Sequence, residues 1–402
     1  MTRLQEAKPH LQKLAKSYVA WALLALVGLD VSCRIADHFG VWPVTAYDAA
    51  HRSTVFWAAK DFKEEKRTPD ITLMGSSLMM AAVHGGDATY QNASQKVALH
   101  HKSSLLEDLL RKKFHTDYST FSFSLSGEMA SDAYVLADTL LTGEKQPKAI
   151  IYGIAPRDLM DNALKSPAST EIFRFVSRVK DPTDVAIPAR NTFWSVAEYG
   201  LGKLSFLYEH RPDFLFLQHD ATKEILAHLG YKDIKDEVHT TYEIRRQAFI
   251  ELPEDSGPNE VVVHPPSASS ANEYSDNLPE YRYRYSSFKE KQFKEQVSYL
   301  ERFLALGQER GIKIILVNMP LTKDNVDTMP AGFYDRYMKT IGDLCSKHQA
   351  QLLDLNTPAD FPKRYFADSA HLNSQGGERF FEVLSERLFD DSQVASTMRG
   401  IK

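Results

Sequence analysis

Residues 70–77, DITLMGSS, join a short strand to a tight turn. The β-rich run of residues 70–74 is followed directly by Gly75, Ser76 and Ser77. A glycine permits a sharp bend of the backbone, and the first amides of a following helix favour negative charge. The stretch therefore predicts a strand-to-helix turn that presents a serine hydroxyl as a nucleophile. A serine that only caps the helix is the alternative interpretation.

The rest of the chain alternates short β-rich runs with longer helical patterns. This alternation is typical of a parallel sheet covered by helices. Five strands are predicted, at residues 70–74, 118–125, 148–154, 312–318 and 351–355. Amphipathic helices are predicted at residues 103–114, 132–142, 333–348 and 375–389, with one more before Gly311. The predicted fold class is α/β, a three-layer α/β/α sandwich with a five-stranded parallel sheet, in which the loops at the carboxyl ends of the strands form the site.

The alternation stops between residues 163 and 285, which indicates an insertion into the α/β core. Residues 194–208 are helical in pattern, whereas residues 252–279 are rich in Pro, Ser, Asn and acids, as in loops or disordered segments. The alternating Tyr and Arg of residues 281–285 are interpreted as one extended face. A lid, a partner surface and a substrate platform all stay open as roles of the insertion.

The predicted organisation is a cytoplasmic tail at 1–16, a transmembrane anchor at 17–35, the first part of the core at 36–162, a mostly helical insertion at 163–288, the second part of the core at 289–392 and a tail at 393–402.

An apolar segment near the start of the chain predicts a membrane anchor. Residues 17–33 carry Asp30 as their only charge, and at ~1.5 Å per residue they span about 25 Å of the ~30 Å hydrocarbon layer. The segment is preceded by four basic residues and one acid, namely Arg3, Lys8, Lys13, Lys16 and Glu6. The positive-inside rule then predicts a cytoplasmic N-terminus and an extracytoplasmic domain, in the periplasm or at the cell surface. No small-x-small cleavage site follows, so an uncleaved anchor is predicted; a buried core helix of a soluble protein is the alternative.

Composition narrows the classes of function further. The formal net charge of −5 supplies no basic field for nucleic acid. Cys33 and Cys345 are the only two cysteines, so a disulfide framework is excluded. His100 and His101 are adjacent and cannot share one metal on a helix, and no carboxylate-histidine spacing suggests a zinc site, so no metal and no cofactor is predicted. Residues 85–87, GGD, lack the lysine and spacing of a phosphate-binding loop and are interpreted as a turn.

A second candidate element stands near the end of the chain, before the last amphipathic helix. Asp368 precedes His371 by three residues in the sequence DSAH. An aspartate in that position orients the imidazole and stabilises its charged form, which leaves the far nitrogen free as a general base. If both residues act with Ser77, the Ser77 Oγ should lie within about 3.5 Å of His371 Nε2, and Asp368 should reach the other nitrogen. The alternative is a helix N-terminal turn with an incidental histidine.

The order of these elements resembles the SGNH (GDSL-like) hydrolase superfamily, in which a serine follows the first strand and an Asp-x-x-His precedes the last helix. The resemblance implies Ser77 as the nucleophile, with Asp368 and His371 completing the catalytic set. Ser76 stands where the family has an aspartate. The resemblance also implies an oxyanion hole built by the amides of Ser77 and Gly127, because SLSG, which ends at Gly127, is similar to the second block of the family. A plain turn glycine is the alternative for Gly127.

The third block of the family, Gly-x-Asn-Asp, is matched only in part. GIAPRD at residues 153–158 lacks the asparagine that would donate to the oxyanion. Arg157 could donate from its guanidinium or bind an anionic group of the substrate, and Arg157, Asp158 and Ser76 are the predicted substrate contacts. A structural salt bridge between Arg157 and Asp158 is the alternative.

These departures bring the chain nearer to membrane-anchored members of the superfamily, such as the D-alanine transfer protein of teichoic-acid D-alanylation and the alginate-acetylation proteins. The resemblance implies an extracytoplasmic serine esterase or O-acyltransferase that acts on acyl esters of a cell-surface polysaccharide or exopolysaccharide through an acyl-enzyme. It also implies a multispanning membrane acyltransferase as a partner, beside an acyl donor or an acylated polysaccharide. Two alternatives stay open. One is a catalytically impaired binding or assembly module of a polysaccharide-modifying membrane complex, and the other is a soluble cytoplasmic esterase if residues 17–33 do not span a membrane.

Overall fold

The computed structural model describes residues 17–46, 54–230, 261–268 and 274–401. The chain folds into two units, one of residues 1–50 and 186–239 and the other of residues 51–185 and 240–402. The predicted tail at residues 1–16 and parts of the predicted loop at residues 252–279 lie outside the described residues.

The larger unit is built on a five-stranded parallel sheet. Its strands are β1 (Ile71–Gly75), β3 (Thr120–Ser124), β4 (Ala149–Ile154), β6 (Lys313–Asn318) and β7 (Gln351–Asp354). They lie in the order β3-β1-β4-β6-β7, so the five predicted strands and the α/β fold class are confirmed. Two short strands, β2 (Gln95–Lys96) and β5 (Val262–Val263), pair antiparallel in a separate sheet.

The centre of the sheet determines where a site can form. All residues of β1, β3 and β4 are buried, as in parallel sheets covered on both faces. Gly75 at the end of β1 pairs with Ser124 of β3 and Gly153 of β4, so the three strands end at one level. The winding direction reverses at β1, which has β3 on one side and β4 on the other. The turns after these strands therefore surround one crevice at the carboxyl edge of the sheet.

Helices account for most of the remaining described residues. In chain order they are α1 (Tyr18–His38), α2 (Thr54–Glu64), α3 (Ser77–Gln91), α4 (Ser104–Phe114), α5 (Ala130–Leu140), α6 (Glu171–Val179), α7 (Thr183–Ala186), α8 (Phe193–Leu204), α9 (Phe206–Glu209), α10 (Arg211–His228), α11 (Leu278–Arg284), α12 (Glu290–Arg310), α13 (Lys323–Val326), α14 (Phe333–His348), α15 (Ser374–Asp390) and α16 (Ser392–Gly400). The predicted helices at residues 103–114, 132–142, 333–348 and 375–389 correspond to α4, α5, α14 and α15. The predicted C-terminal tail contains α16, which buries Val394, Ala395 and Met398.

Helices α3 and α15 pack against each other through glycines. A Cβ on Gly377 of α15 would lie 2.5 Å from the amide nitrogen of Gly86 and 2.7 Å from the carbonyl oxygen of Ala82, both in α3. Only glycine allows the two helix backbones to approach this closely. Because α3 begins at Ser77 and α15 begins shortly after His371, this contact also determines how near those two residues lie.

The turn predicted at residues 85–87 is wrong, because Gly85 and Gly86 lie inside α3. Glycine destabilises a helix by about 1 kcal/mol relative to alanine, so two adjacent glycines in the sequence predict the end of a helix. Contact with α15 explains why glycine is nevertheless needed here. A Cβ on Gly85 would lie 3.0 Å from the Cα of Ser374 at the start of α15.

Replacing Gly377 by alanine is expected to lower the free energy of unfolding by about 1–3 kcal/mol, because the added Cβ overlaps the backbone of α3. Gly342 of α14 is the matched control, since its Cβ would meet only Leu352 Cδ2, at 4.0 Å. Gly342→Ala is expected to raise the free energy of unfolding by about 0.5–1 kcal/mol through helix propensity. Urea denaturation of both variants measures the two effects. A shift of the same sign in both variants would contradict the close-packing argument.

The smaller unit contains α1, which is long and apolar enough to cross a membrane. Its 21 residues extend about 31 Å at 1.5 Å per residue, close to the thickness of the hydrocarbon layer. None of its residues is buried, as for a helix surrounded by lipid and unlike a core helix of a soluble protein. The predicted apolar helix is therefore present, and its orientation in the membrane stays a prediction.

Candidate active site

The turn after β1 places Ser77 at the start of α3. Gly75 has a φ of +144°, and a Cβ there would lie 2.6 Å from the carbonyl oxygen of Gly153, so only glycine fits without a backbone shift. Ser76 has extended backbone and Ser77 is the first residue of the helix. The Ser77 amide is one of the first N–H groups of α3, which have no acceptor inside the helix. The predicted strand-to-helix turn is confirmed.

Ser77, His371 and Asp368 form one hydrogen-bonded row. The Ser77 Oγ lies 2.8 Å from His371 Nε2, and His371 Nδ1 lies 2.7 Å from Asp368 Oδ2. Both expected contacts are confirmed. A neutral imidazole that donates from Nδ1 to the carboxylate can accept the Ser77 hydroxyl proton at Nε2. The row therefore has the geometry of a nucleophile and its general base, while the catalytic role of the three residues stays a prediction.

Local amides hold the carboxylate of Asp368 in place. Its Oδ1 accepts hydrogen bonds from the N–H groups of Ala370 at 2.8 Å and His371 at 2.7 Å. Burial raises the pKa of Asp368, but the hydrogen bonds and charge of His371 and the amide of Ala370 outweigh burial and hold the pKa below its ordinary value. The carboxylate is therefore ionised at neutral pH and can orient the imidazole.

The loop that carries Asp368 and His371 is anchored by residues outside it. Ser369 donates from its N–H at 3.0 Å and its hydroxyl at 2.6 Å to Asn277 Oδ1. The carbonyl oxygen of Ser369 accepts a hydrogen bond from Thr322 Oγ1 at 2.7 Å. No local pattern marks Asn277 as part of the site, because it lies in a polar tract and its partner is 92 residues away.

Gly127 follows β3 and lines the same pocket as Ser77. Its φ of +78° is in the left-handed region that favours glycine. Within the described part of the chain, its amide donates to no protein acceptor. The N–H groups of Gly127 and Ser77 are therefore both available to a ligand, which the predicted oxyanion role requires. That role itself stays a prediction.

Arg157 contacts the turn that carries Gly127. Its Nη2 donates to the carbonyl oxygen of Gly127 and its Nη1 to that of Glu128, each at 3.2 Å. It also forms ion pairs with Asp158 at 3.3 Å and Asp161 at 3.1 Å. The salt bridge to Asp158, stated above as an alternative, is therefore present. Arg157 lines the pocket as well, so its predicted contact with substrate stays open.

The other two predicted substrate contacts, Ser76 and Asp158, are buried and are not among the pocket-lining residues. Asp158 Oδ2 accepts a hydrogen bond from the Ala155 N–H at 2.9 Å, which closes the turn after β4. The Ser76 hydroxyl lies against the Asp158 carboxyl and helps to lower its pKa.

Four carboxyl groups near Arg157 are buried, those of Glu128, Asp132, Asp158 and Asp161. Burial raises the pKa of Asp158 to about 6 and that of Asp132 to about 7, and it raises the pKa of Glu128 well above its ordinary value. The charge of Arg157 opposes the shift in all three. The site thus rests on a buried acidic cluster with one arginine at its centre.

The raised pKa values predict how stability depends on pH. The carboxyl groups of Glu128, Asp132 and Asp158 bind protons more tightly in the folded chain than in the unfolded chain, where their pKa is about 4, so their contribution to the free energy of unfolding is expected to fall as pH rises from about 4 to about 7. His84 and His101, whose pKa values are lowered, contribute in the opposite direction between pH 4 and 6.5. Urea denaturation at pH 5 and pH 8 measures the effect. Asp132→Asn removes one of the titrating groups and should make the dependence shallower. A pH dependence in Asp132→Asn as steep as in the wild type would contradict the assignment.

The row opens into a pocket of about 550 Å³, within the usual range for a small-ligand site. One part of its lining is apolar and comes mainly from α3, the β2–β5 pair and the residue after His371: Met80, Ala81, Val97, Val262, Val263 and Leu372. Another part is polar and consists of Ser126, Arg157, Glu280, Tyr281 and Arg284. The pocket therefore offers both apolar and polar side chains to a ligand near Ser77.

Two sequence interpretations in this region need correction. Val262–Val263 lies in the predicted loop but forms β5 against Gln95–Lys96. The predicted extended face at residues 281–285 is wrong, because the segment forms α11 and the residue after it. Tyr281 and Tyr285 are buried, so packing of their rings favours the helix. The conformation of both segments depends on contacts with residues far away in the sequence, so a local sequence pattern does not predict it.

Three histidines outside the row, His84, His100 and His101, have structural partners. His100 Nε2 lies 2.7 Å from Asp87 Oδ2, and Asp87 also accepts the amides at the start of α4. Burial lowers the pKa of His84 and of His101 to about 4 each. Among the residues that the structure describes, no group of three His, Cys, Asp or Glu side chains is arranged to hold a metal ion.

No family model matches the chain, and no curated protein matches it. Interpretation of the site therefore rests on the residues and distances of the pocket.

Proposed function

We propose that this chain is a membrane-anchored serine esterase or O-acyltransferase of the SGNH type, which forms an acyl-enzyme at Ser77. The observation that carries the proposal is the row Ser77–His371–Asp368 at the pocket. A serine, a base within hydrogen-bond reach and a carboxylate that orients the base are the components of nucleophilic acyl transfer.

In the first half-reaction, His371 Nε2 takes the proton of Ser77 as the Oγ attacks the carbonyl carbon of an acyl ester. The carbonyl oxygen becomes an oxyanion, and the amides of Gly127 and Ser77 donate hydrogen bonds to it. When the intermediate collapses, the C–O bond to the alcohol breaks, and His371 returns its proton to that alcohol. The acyl group remains on Ser77 Oγ.

In the second half-reaction, water or a glycan hydroxyl attacks the acyl-enzyme. His371 removes the proton of the attacking hydroxyl, and Ser77 leaves with that proton restored. Asp368 keeps the imidazole in the required tautomer through both steps. Hydrolysis and transfer share the acyl-enzyme and differ only in the acceptor that reaches it.

The lining of the pocket supports an acyl ester as substrate. The apolar part suits an acyl group, because burying its methyl and methylene groups is favourable. The polar part suits the alcohol or glycan side, since hydroxyl groups can exchange hydrogen bonds with Arg157, Glu280, Tyr281 and Arg284. The two parts therefore match the two ends of an ester.

The cellular role follows from the resemblance to membrane-anchored SGNH proteins. The helix packing of the larger unit is compatible with that resemblance. Helices α3, α4 and α15 pack together, as do α5, α6 and α12, as expected for helix layers on either face of the sheet. The basic residues before α1 support an extracytoplasmic catalytic domain. The proposed acceptors are cell-surface polysaccharides or exopolysaccharides, and the proposed partner is a multispanning membrane acyltransferase that hands over the acyl group.

A second candidate is a non-catalytic binding or assembly module of such a complex. The observation that favours it is the third block, which lacks the asparagine donor and whose Arg157 is engaged with protein carbonyls and carboxylates. Loss of that donor would weaken oxyanion stabilisation. The fold and the insertion would then serve binding alone.

Covalent labelling separates the two candidates. The full chain in detergent or nanodiscs is incubated with a fluorophosphonate, which reacts with activated serines. One label per chain at Ser77, located by peptide mass spectrometry, is the expected result for an acyl-enzyme mechanism. A chain that stays unlabelled with the row intact would favour the binding module.

A further inference from the structure

Helix α8, Phe193–Leu204, exposes an apolar stripe. Four of its large apolar side chains are exposed, namely Phe193, Trp194, Leu201 and Leu204, and the first, second and fourth are more than three-quarters exposed, at 77%, 76% and 80%. At about 100° per residue, all four fall within an arc of about 100° on one side of the helix. Lys203 lies well outside this arc. The stripe therefore has large exposed apolar side chains in the first and last turns of α8, with Ala197 between them on the same side.

The other side of α8 is the one that packs against protein. Gly202 is buried, and a Cβ there would lie 3.7 Å from the Cβ of Glu209 in α9. The ring of Tyr199 lies under the cationic groups of Arg190 and Lys203, at 4.3 Å and 5.3 Å. A surface helix of a soluble domain turns its apolar stripe inwards, whereas α8 turns it outwards. Such a stripe needs an apolar surface to cover it.

Helix α1 is hydrogen-bonded to the C-terminal end of α8 and to the start of α9, which fixes where along α1 the end of α8 lies. Arg34 Nη2 donates to the carbonyl oxygen of Leu204 at 3.3 Å. Asp30 Oδ1 accepts the Ser205 hydroxyl at 2.6 Å and the Leu207 N–H at 2.9 Å. Asp30, the only charged residue of residues 17–33, thus binds the start of α9. All these contacts lie within the smaller unit.

The position of these contacts along α1 places them near a membrane boundary. Asp30 and Arg34 are the first charged side chains after the apolar run of residues 18–29, and charged side chains in a membrane helix extend towards headgroup water. If α1 spans the membrane, the end of α8 lies in the boundary region between hydrocarbon and headgroups. Leu204 is then at the depth where apolar side chains are buried by lipid, and Trp194 is a residue type enriched in that region.

We propose that α8 is an interfacial helix, which lies along the membrane that α1 crosses and inserts Phe193, Trp194, Leu201 and Leu204 into the boundary of one leaflet. The occupant of the stripe is lipid. Continuity with α1 favours lipid over protein, because the backbone at the end of α8 is bonded to the membrane helix at the level of the boundary. The proposal requires α1 to span a membrane and does not depend on the proposed acyl transfer.

Spin labels on the full chain test the proposal. Single cysteines replace Trp194, Leu204, Lys203 and Lys339 in a Cys33→Ser background, while Cys345 is buried and stays. The labelled chains are placed in phosphatidylcholine/phosphatidylglycerol nanodiscs with one chain per disc. Collision rates of each label with oxygen, which concentrates in lipid, and with a water-soluble nickel chelate are then measured by electron paramagnetic resonance.

The labels at positions 194 and 204 are expected to have oxygen-to-nickel collision ratios severalfold higher than those at positions 203 and 339. Lys203 is the matched control on the same helix, and Lys339 on α14 is the reference for water. Equal ratios at all four positions would overturn the proposal. Shielding of positions 194 and 204 from both reagents would also overturn it, because a protein surface would then cover the stripe.

Discussion

Ser77→Ala is expected to abolish covalent labelling of the chain by a fluorophosphonate, and His371→Ala to lower the labelling rate by about 10⁴-fold or more. In the proposed mechanism the Ser77 Oγ attacks phosphorus, so its removal leaves no nucleophile at the site. His371 Nε2, which lies 2.8 Å from that Oγ, is the proposed acceptor of the proton. Labelling is followed over time by in-gel fluorescence and by the intact mass of the chain.

Ser76→Ala is the matched control for this prediction. Ser76 is the neighbouring serine, but it is buried and does not line the pocket, so the variant is expected to label at close to the wild-type rate. Persistent labelling of Ser77→Ala would place the reactive nucleophile elsewhere. Equal loss in Ser76→Ala and Ser77→Ala would indicate damage to the turn instead of removal of the nucleophile.

Local patterns suffice to predict the two halves of the row. Residues 70–77 contain both the strand and its turn, and Asp368 and His371 lie only three residues apart, so each geometry is set by neighbouring residues. Ser77 and His371, which form the hydrogen bond between the two halves, are 294 residues apart in the sequence. Their contact was predictable because the carboxyl ends of parallel strands share one edge of the sheet, where such turns collect.

The lining of the pocket was not predictable in this way. Asn277 binds Ser369 from a polar tract, and the two residues of β5 are too few to show an alternating pattern. Their conformations depend on partners far away in the chain. A tract rich in Pro, Ser and Asn reads as loop because those residues are frequent in loops, whatever its tertiary contacts are.

Gly86 illustrates the same limit from the opposite direction. Considered alone, two adjacent glycines favour a turn, since glycine is costly inside a helix. Gly377 lies so close to Gly86 that no residue with a side chain fits at position 86 without a shift. This constraint is visible only once α3 and α15 are packed together. Prediction of α3 through this point would have required knowledge of α15 as its neighbour.

Arg157→Met is expected to lower the free energy of unfolding by about 3–5 kcal/mol, because removing one partner of a buried ion pair leaves the other uncompensated. The loss should be larger at pH 8 than at pH 5, since Asp158 can become neutral at the lower pH when the arginine is gone. Lys339→Met is the control. That lysine is 76% exposed in its pair with Asp343, so a change of less than about 0.5 kcal/mol is expected.

The same variant decides between the two roles that stay open for Arg157. If the arginine acts through the fold alone, the folded fraction of Arg157→Met should form a normal Gly127 turn and should label at the wild-type rate. If Arg157 also holds Gly127 for the oxyanion, the labelling rate of the folded fraction should fall while Ser77 and His371 remain in place. Arg157→Lys keeps the charge but loses the planar fork that reaches carbonyls and carboxylates together. Relative to Arg157→Met, it should therefore recover part of the free energy of unfolding and a smaller part of the labelling rate. Unchanged stability together with slow turnover of an acyl ester would instead assign Arg157 to the substrate.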